Sequence, residues 1–183
     1  VKKLSNTAAE HRRKAPEKTG FAVITCSSTR HKALKEGRSL SDESGDLASA
    51  LIIEAGHRVI LRSLVPNREA DLRKAVQEAI ERKDVNVVFV TGGTGLSPRD
   101  ITVETLETLL EKPIPGFGEL FRRLSYEEVG LAAMLTRASA GAIHGKALFA
   151  VPGSPHAVQL ALKKVILPEV GHIVLHLGEP KHH

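Results

Sequence analysis

The 183-residue sequence contains a single cysteine, Cys26, which rules out a framework of internal disulfides. It has no tryptophan, one tyrosine and five phenylalanines, 3% aromatics in all. So few flat rings leave little to stack nucleic-acid bases against. No apolar run approaches the roughly 20 residues of a membrane-spanning helix. The first residues carry no signal-peptide pattern, which sets the expectation of a cytoplasmic, non-membrane protein. His31, His57, His144, His156 and His172 stand at no close ligand spacing, which argues against a zinc site. The terminal Lys-His-His reads as a solvated end. There is no internal repeat, low-complexity block or dividing linker.

The net charge of +5 is unevenly placed. Residues 1–18 hold Lys2, Lys3, Arg12, Arg13, Lys14 and Lys18 against Glu10 and Glu17. The other 165 residues carry 20 basic and 19 acidic side chains. The basicity therefore belongs to a polar leader with few apolar anchors, expected to be mobile and to serve as a solubilising or docking tail. A nucleic-acid arm is disfavoured by the shortage of aromatics.

Four apolar runs have strand length: FAVITC from Phe21, HRVILRSLV from His57, VNVVFV from Val85 and KALFAV from Lys146. Three are apolar at nearly consecutive positions, as strands covered on both faces are. Helical periods lie between them. Leu72, Ala75, Val76, Ala79 and Ile80 form one stripe, and Leu47, Leu51 and Ala55 another before Gly56. Val103, Leu106, Leu109 and Leu110 follow, and a last helix from Ala157 to Lys164 is expected to be interrupted or ended by Pro168. Alternating strands and helices predict a three-layer α/β/α sandwich around a mostly parallel sheet, one domain over 19–177 with a second polar tail at 178–183.

Ligands in such folds bind beyond the carboxyl ends of the strands. There this sequence places SSTR, PNRE, TGGTGLSPRD and PGSP. After the third run, Gly92, Gly93 and Gly95 free main-chain amides to approach an anion, Thr91 and Thr94 add hydroxyls, and a helix starting near Thr102 aims its positive end at the same place. A tight turn serving chain reversal alone is the other reading. The spacing is neither a P-loop nor a Rossmann fingerprint. Arg99 is a fork donor for phosphate. Asp100 beside a phosphate needs a neutralising cation such as Mg²⁺; otherwise it caps the helix at Ile101 or pairs with Arg99. Cys26 reads as a small buried apolar residue rather than a nucleophile.

The segments TGGTGLSPRDIT, PGFGELFRRLSYEEVG, AMLTR and VPGSP resemble, in order and spacing, the MoaB/Mog family of molybdenum cofactor biosynthesis proteins, from about Gly20 to about Leu177. AMLTRASAG and PGFGELF point to its MoaB side. The resemblance implies that the chain binds molybdopterin and Mg-ATP and adenylylates the pterin's phosphate, releasing pyrophosphate. It further implies that Thr91 to Gly95 form a phosphate-binding turn, that Asp100 holds Mg²⁺, and that Arg99 braces the loop or contacts phosphate. Asp42, Ser44 and Gly45 resemble the family's D-x-S-G element near the nucleotide, Thr136 supplies a hydroxyl where relatives often have serine, and Pro152, Gly153 and Ser154 close the pocket. A homotrimer or dimer of trimers is implied, with other enzymes of the same pathway as possible partners, and PGFGELFRRLSYEEVG is a segment that could supply a subunit contact.

Two departures bear on activity. Asn67 stands where active relatives carry an aspartate; its carbonyl can still ligate Mg²⁺ but brings no charge, and it also suits the N-cap of a helix from Arg68. Ser27 and Ser28 occupy the place of the family's Ser-Asp. A non-catalytic, pterin-binding paralogue is therefore the alternative reading. A nucleotide hydrolase of the CinA type is third, disfavoured because that branch has an acidic pair where this chain has Arg99-Asp100.

Overall fold

The computed structural model describes residues 18–38 and 40–178. The expected N- and C-terminal tails lie outside the described residues, apart from Lys18 and Gly178. The first half of the chain runs β1 (Gly20–Cys26), α1 (Ser28–Lys35), α2 (Glu43–Glu54), β2 (Arg58–Val65), α3 (Glu69–Glu81) and β3 (Val87–Thr91). Then come α4 (Thr102–Glu107), β4 (Lys112–Pro113), α5 (Pro115–Val129), a 3₁₀ segment (Gly130–Leu135), β5 (Ser139–Ile143) and β6 (Lys146–Val151). The chain ends in α6 (Pro155–Leu160), a π-helical segment (Ala161–Ile166) and α7 (Leu167–Leu177).

Six strands form one sheet in the order β2-β1-β3-β6-β5-β4. The four expected strands are parallel to one another, while β5 runs antiparallel to β6 and β4 antiparallel to β5. Successive side chains of a strand point to opposite faces, and the register keeps the two sets apart. Phe21 and Val23 lie level with Val87 and Phe89, and these with Ala147 and Phe149. This set packs under α2, α5, α6 and α7. Ala22, Ile24, Val88, Val90, Leu148 and Ala150 face the other way, against α3 and α4. Both layers are closed to water: Phe89 on one face and Leu148 on the other are 0% exposed, and each such side chain contributes roughly 1.5–3 kcal/mol by burial.

Leu72, Ala75, Val76 and Ala79 are buried along α3, as their spacing predicts. Pro168 does not end the last helix. It interrupts it: the helical chain runs from Pro155 to Leu177, and the α-helical pattern gives way to the π-helical segment Ala161–Ile166 just ahead of Pro168, where a residue without an N–H breaks the α-helical bonding. Among the described residues no helix is long and apolar enough to cross a membrane.

This topology has one switch point. β1 is flanked by β2 on one side and β3 on the other, so the loops leaving β1 and β3 diverge. The crevice between them is where ligands settle in open α/β sheets.

Candidate functional site

The loop after β3 is locked at its base. Gly92 donates its amide to Val151 O at 3.1 Å, Thr91 Oγ1 donates to Pro152 O at 3.0 Å, and Thr102 Oγ1 donates to Gly92 O at 2.7 Å. Gly92 and Gly93 have φ of 93° and 64°, the left-handed side that favours glycine. A β-carbon on Gly92 would stand 2.4 Å from Cys26 O. Beyond this base the amides of Gly93, Thr94 and Gly95 donate to no protein acceptor among the described residues. Asp100 closes the loop: its amide donates to Ser97 O at 2.8 Å and its Oδ2 accepts from Ser97 N at 3.3 Å. It does not cap α4, whose N-cap position is Ile101 with no side-chain bond, and no ion pair joins it to Arg99 among the described residues.

The opposite wall comes from the exit of β1. Ser27 N-caps α1, its hydroxyl accepting from Arg30 N at 3.4 Å, so the positive end of this eight-residue helix opens onto the cleft. Arg30 is tethered by donation from Nε to Ser41 O at 3.0 Å. Asn67 donates its amide to Ser28 Oγ at 2.9 Å, while its Oδ1 accepts from the Cys26 thiol at 3.2 Å. Burial pushes the Cys26 pKa up, with the neighbouring Thr102 hydroxyl opposing and the Asp100 and Asp71 charges adding to the rise. On the third side Arg137 donates to Gly95 O at 3.1 Å and to Glu104 Oε1 at 2.5 Å. The Glu104 carboxyl is held below its ordinary pKa by a backbone hydrogen bond, then by Arg137.

The cleft so enclosed has a volume of about 570 Å³. Its lining carries three guanidinium groups, Arg30, Arg99 and Arg137, and one carboxylate, Asp100. That balance, together with the start of α1 and three free amides, favours a polyanion. A metal cage is not built: no group of three or more His, Cys, Asp or Glu side chains able to hold a metal exists among the described residues. One carboxylate does fit Mg²⁺, which commonly binds through one or two carboxylates, substrate phosphates and water.

Of the expected residues, Ser27, Asn67, Gly92, Gly93, Thr94, Gly95, Arg99, Asp100, Thr136, Pro152 and Gly153 line this cleft. Five others do not line it. Thr91 is the last, fully buried residue of β3. Asp42 caps α2 and pairs with Arg62 at 2.7 Å while accepting from Thr25 Oγ1 at 2.7 Å. Gly45 fits beneath that network, where a β-carbon would meet Asp42 Oδ2 at 2.3 Å. Ser44 is 1% exposed and donates to Gly153 O at 2.6 Å. Ser154 caps α6. These five shape the walls from behind. Asn67 is not an N-cap either: α3 begins at Glu69 with Arg68 at the cap position, because Asn67's own side chain is turned toward Cys26.

Arg30 and Ser97 lie in rim segments that the sequence picks out but does not single out as lining residues, while Arg137 as a lining residue and Cys26 as part of the floor were missed. For Arg30 a signal existed, since a serine cap three positions earlier puts it in the first turn of a rim helix. Arg137 follows Thr136 directly.

The comparisons with known proteins agree with this geometry. The family described as a probable molybdopterin binding domain matches residues 22–172. The molybdenum cofactor biosynthesis protein B of Bacillus cereus is 42% identical over 93% of this chain and 98% of its own. A Methanocaldococcus jannaschii protein named probable molybdopterin adenylyltransferase is 42% identical over 87% of this chain and 94% of its own. Among solved structures, the tungsten cofactor synthesizing protein MoaB of Pyrococcus furiosus is 39% identical, with a TM-score of 0.80, covering 90% of this chain and all of that one. With its fold, its rim loops and these relatives in accord, the chain belongs to the MoaB/Mog family of molybdenum cofactor biosynthesis proteins.

Proposed function

We propose that the chain adenylylates molybdopterin. The terminal phosphate oxygen of the pterin attacks the α-phosphorus of ATP, the bond from that phosphorus to its bridging oxygen breaks, and pyrophosphate leaves with the electron pair. The observation that carries this reading is the concentration, at the β1/β3 switch point, of three unbonded amides and three arginines around a single carboxylate. Phosphoryl-type transfer needs little covalent help and much positioning and charge neutralisation. The amides of Gly93 to Gly95 and the start of α1 bind phosphate oxygens. Arg99 and Arg30 offset charge as it shifts to the leaving group. Arg137 keeps the loop in place through Gly95 O. Asp100, with phosphate oxygens and water, would hold Mg²⁺, which neutralises polyphosphate charge when bound. The M. jannaschii relative's name supports the same activity.

The alternative, a pterin-binding protein without turnover, draws on Asp100 being the only carboxylate in the lining among the described residues. Pyrophosphate release with molybdopterin, ATP and Mg²⁺ separates the two. Asp100→Asn is expected to lower kcat by at least about 100-fold, the scale on which one electrostatic group acts, with the melting temperature unchanged. No release by the parent, with molybdopterin still bound, assigns it as the binder. Release that is indifferent to Asp100→Asn contradicts the site.

A further inference from the structure

We infer that Asn67 presents its amide nitrogen to the cleft as a neutral donor to an anionic ligand, that it is not a metal ligand, and that Cys26 is the positioning residue that orients it. The inference rests on the reading of the cleft as a polyphosphate site. Its ground is the direction in which the Asn67 side chain is pinned. The Cys26 Sγ lies 3.2 Å from Oδ1, nearer than its other acceptor, Pro66 O at 3.7 Å. The thiol donates its one proton to the amide oxygen. The same oxygen abuts the tight turn at Gly93, 3.4 Å from where a β-carbon there would stand. The main chain is fixed as well, since Asn67 N donates to Ser28 Oγ.

With its oxygen committed to the protein, the amide turns its NH₂ group away from Cys26. That group donates to no protein acceptor among the described residues, and Asn67 lines the cleft. An N–H cannot ligate a cation, but it can donate to a phosphate or carbonyl oxygen. An aspartate at the same place would instead set a second negative charge against the polyanion and require a cation to offset it. The asparagine therefore makes polyphosphate binding less dependent on Mg²⁺. Nothing at this position adds to the single carboxylate available for metal.

The full chain is titrated calorimetrically with inorganic pyrophosphate, once with chelator and once with excess Mg²⁺. Asn67→Asp is expected to weaken the chelator-side affinity by at least about tenfold, from loss of a charge-assisted bond and gain of a like charge, with Mg²⁺ restoring it. Asn67→Ala, which loses the donor without adding charge, falls between. Cys26→Ala weakens metal-free binding by about threefold, and Cys26→Ser, which keeps a donor, returns it to near the parent value. The inference is overturned if Asn67→Asp binds metal-free pyrophosphate as tightly as the parent, or if Cys26→Ser behaves like Cys26→Ala. Should the parent bind pyrophosphate under neither condition, the polyphosphate reading falls and this one with it. Binding by the parent with no response to Asn67→Asp removes this one alone.

Discussion

Replacing Gly92 by alanine is the sharpest test of how the cleft is built. The residue sits at φ 93°, and an added β-carbon would lie 2.4 Å from Cys26 O, a main-chain atom at the end of a central strand. Two costs follow. The backbone conformation disfavours any L side chain by roughly 1–2 kcal/mol, and clearing the overlap means separating the exits of β1 and β3, an overpacking change of about 1–3 kcal/mol. Neither neighbour can yield easily, because Gly92 N is bonded to Val151 O and β1 is paired on both sides. The expected destabilisation is about 2–5 kcal/mol, a melting temperature lower by roughly 4–20 °C for a domain of this size. Thermal unfolding followed by circular dichroism measures it, with Gly116→Ala as the contrast. Gly116 is in the first turn of α5 with nothing within 4 Å of its missing β-carbon, so that variant should be neutral or raise the midpoint by a few degrees, about the value of glycine to alanine in a helix. A Gly92→Ala protein that melts with the parent would refute the claim that steric closeness fixes the loop.

Ser44→Ala should cost about 1–3 kcal/mol in urea unfolding, since it leaves the Gly153 carbonyl without the 2.6 Å bond from a hydroxyl that is 1% exposed; an unchanged midpoint would contradict the role assigned to it. Burial lowers the His57 pKa in the folded state. The unfolded chain then binds more protons as pH drops below about 6.5, so the stability present above that value declines toward acid. In His57→Asn the urea midpoint should fall less between pH 7 and pH 5 than in the parent. Equal slopes would exclude His57 as a contributor.

What the sequence made legible follows from where bulk lies. β1, β3 and β6 are covered on both faces, and their apolar runs announce them; β2, at the edge, still carries enough valine and leucine to be seen. β5 reads Ser-Ala-Gly-Ala-Ile and offers no such run. Its strand identity comes from pairing with β6 and from the close approach of β4, where a β-carbon on Gly141 would meet Lys112 O at 2.6 Å. That is a tertiary requirement for smallness, written in residues that locally say turn. α1 was hidden for a related reason: Ala33 is its one buried residue, so it has no apolar stripe to count. The rim chemistry was legible as a set, because glycines and hydroxyls after strands have few other uses. Which hydroxyl faces the ligand was not. Thr94 and Thr136 line the cleft, whereas Thr91 and Ser44 spend theirs on carbonyls of the β6–α6 loop.

That division explains how so few reactive groups can be held accurately. Ser27 N bonded to Val65 O joins the loops after β1 and β2, and Asn67 N bonded to Ser28 Oγ joins them again. Gly92 N bonded to Val151 O, and Thr91 Oγ1 to Pro152 O, join the loops after β3 and β6. Ser44 brings α2 into the same lattice through Gly153. Each rim segment is thus fixed by another that is distant in sequence, and four of these five bonds join a lining residue to one outside the lining. Electrostatic stabilisation works only where donors stand ready without rearranging. The residues that look functional in the sequence yet lie behind the wall are therefore what keeps Arg99, Asp100 and the free amides in register, and substitutions there should be felt in the cleft before they are felt in the sheet.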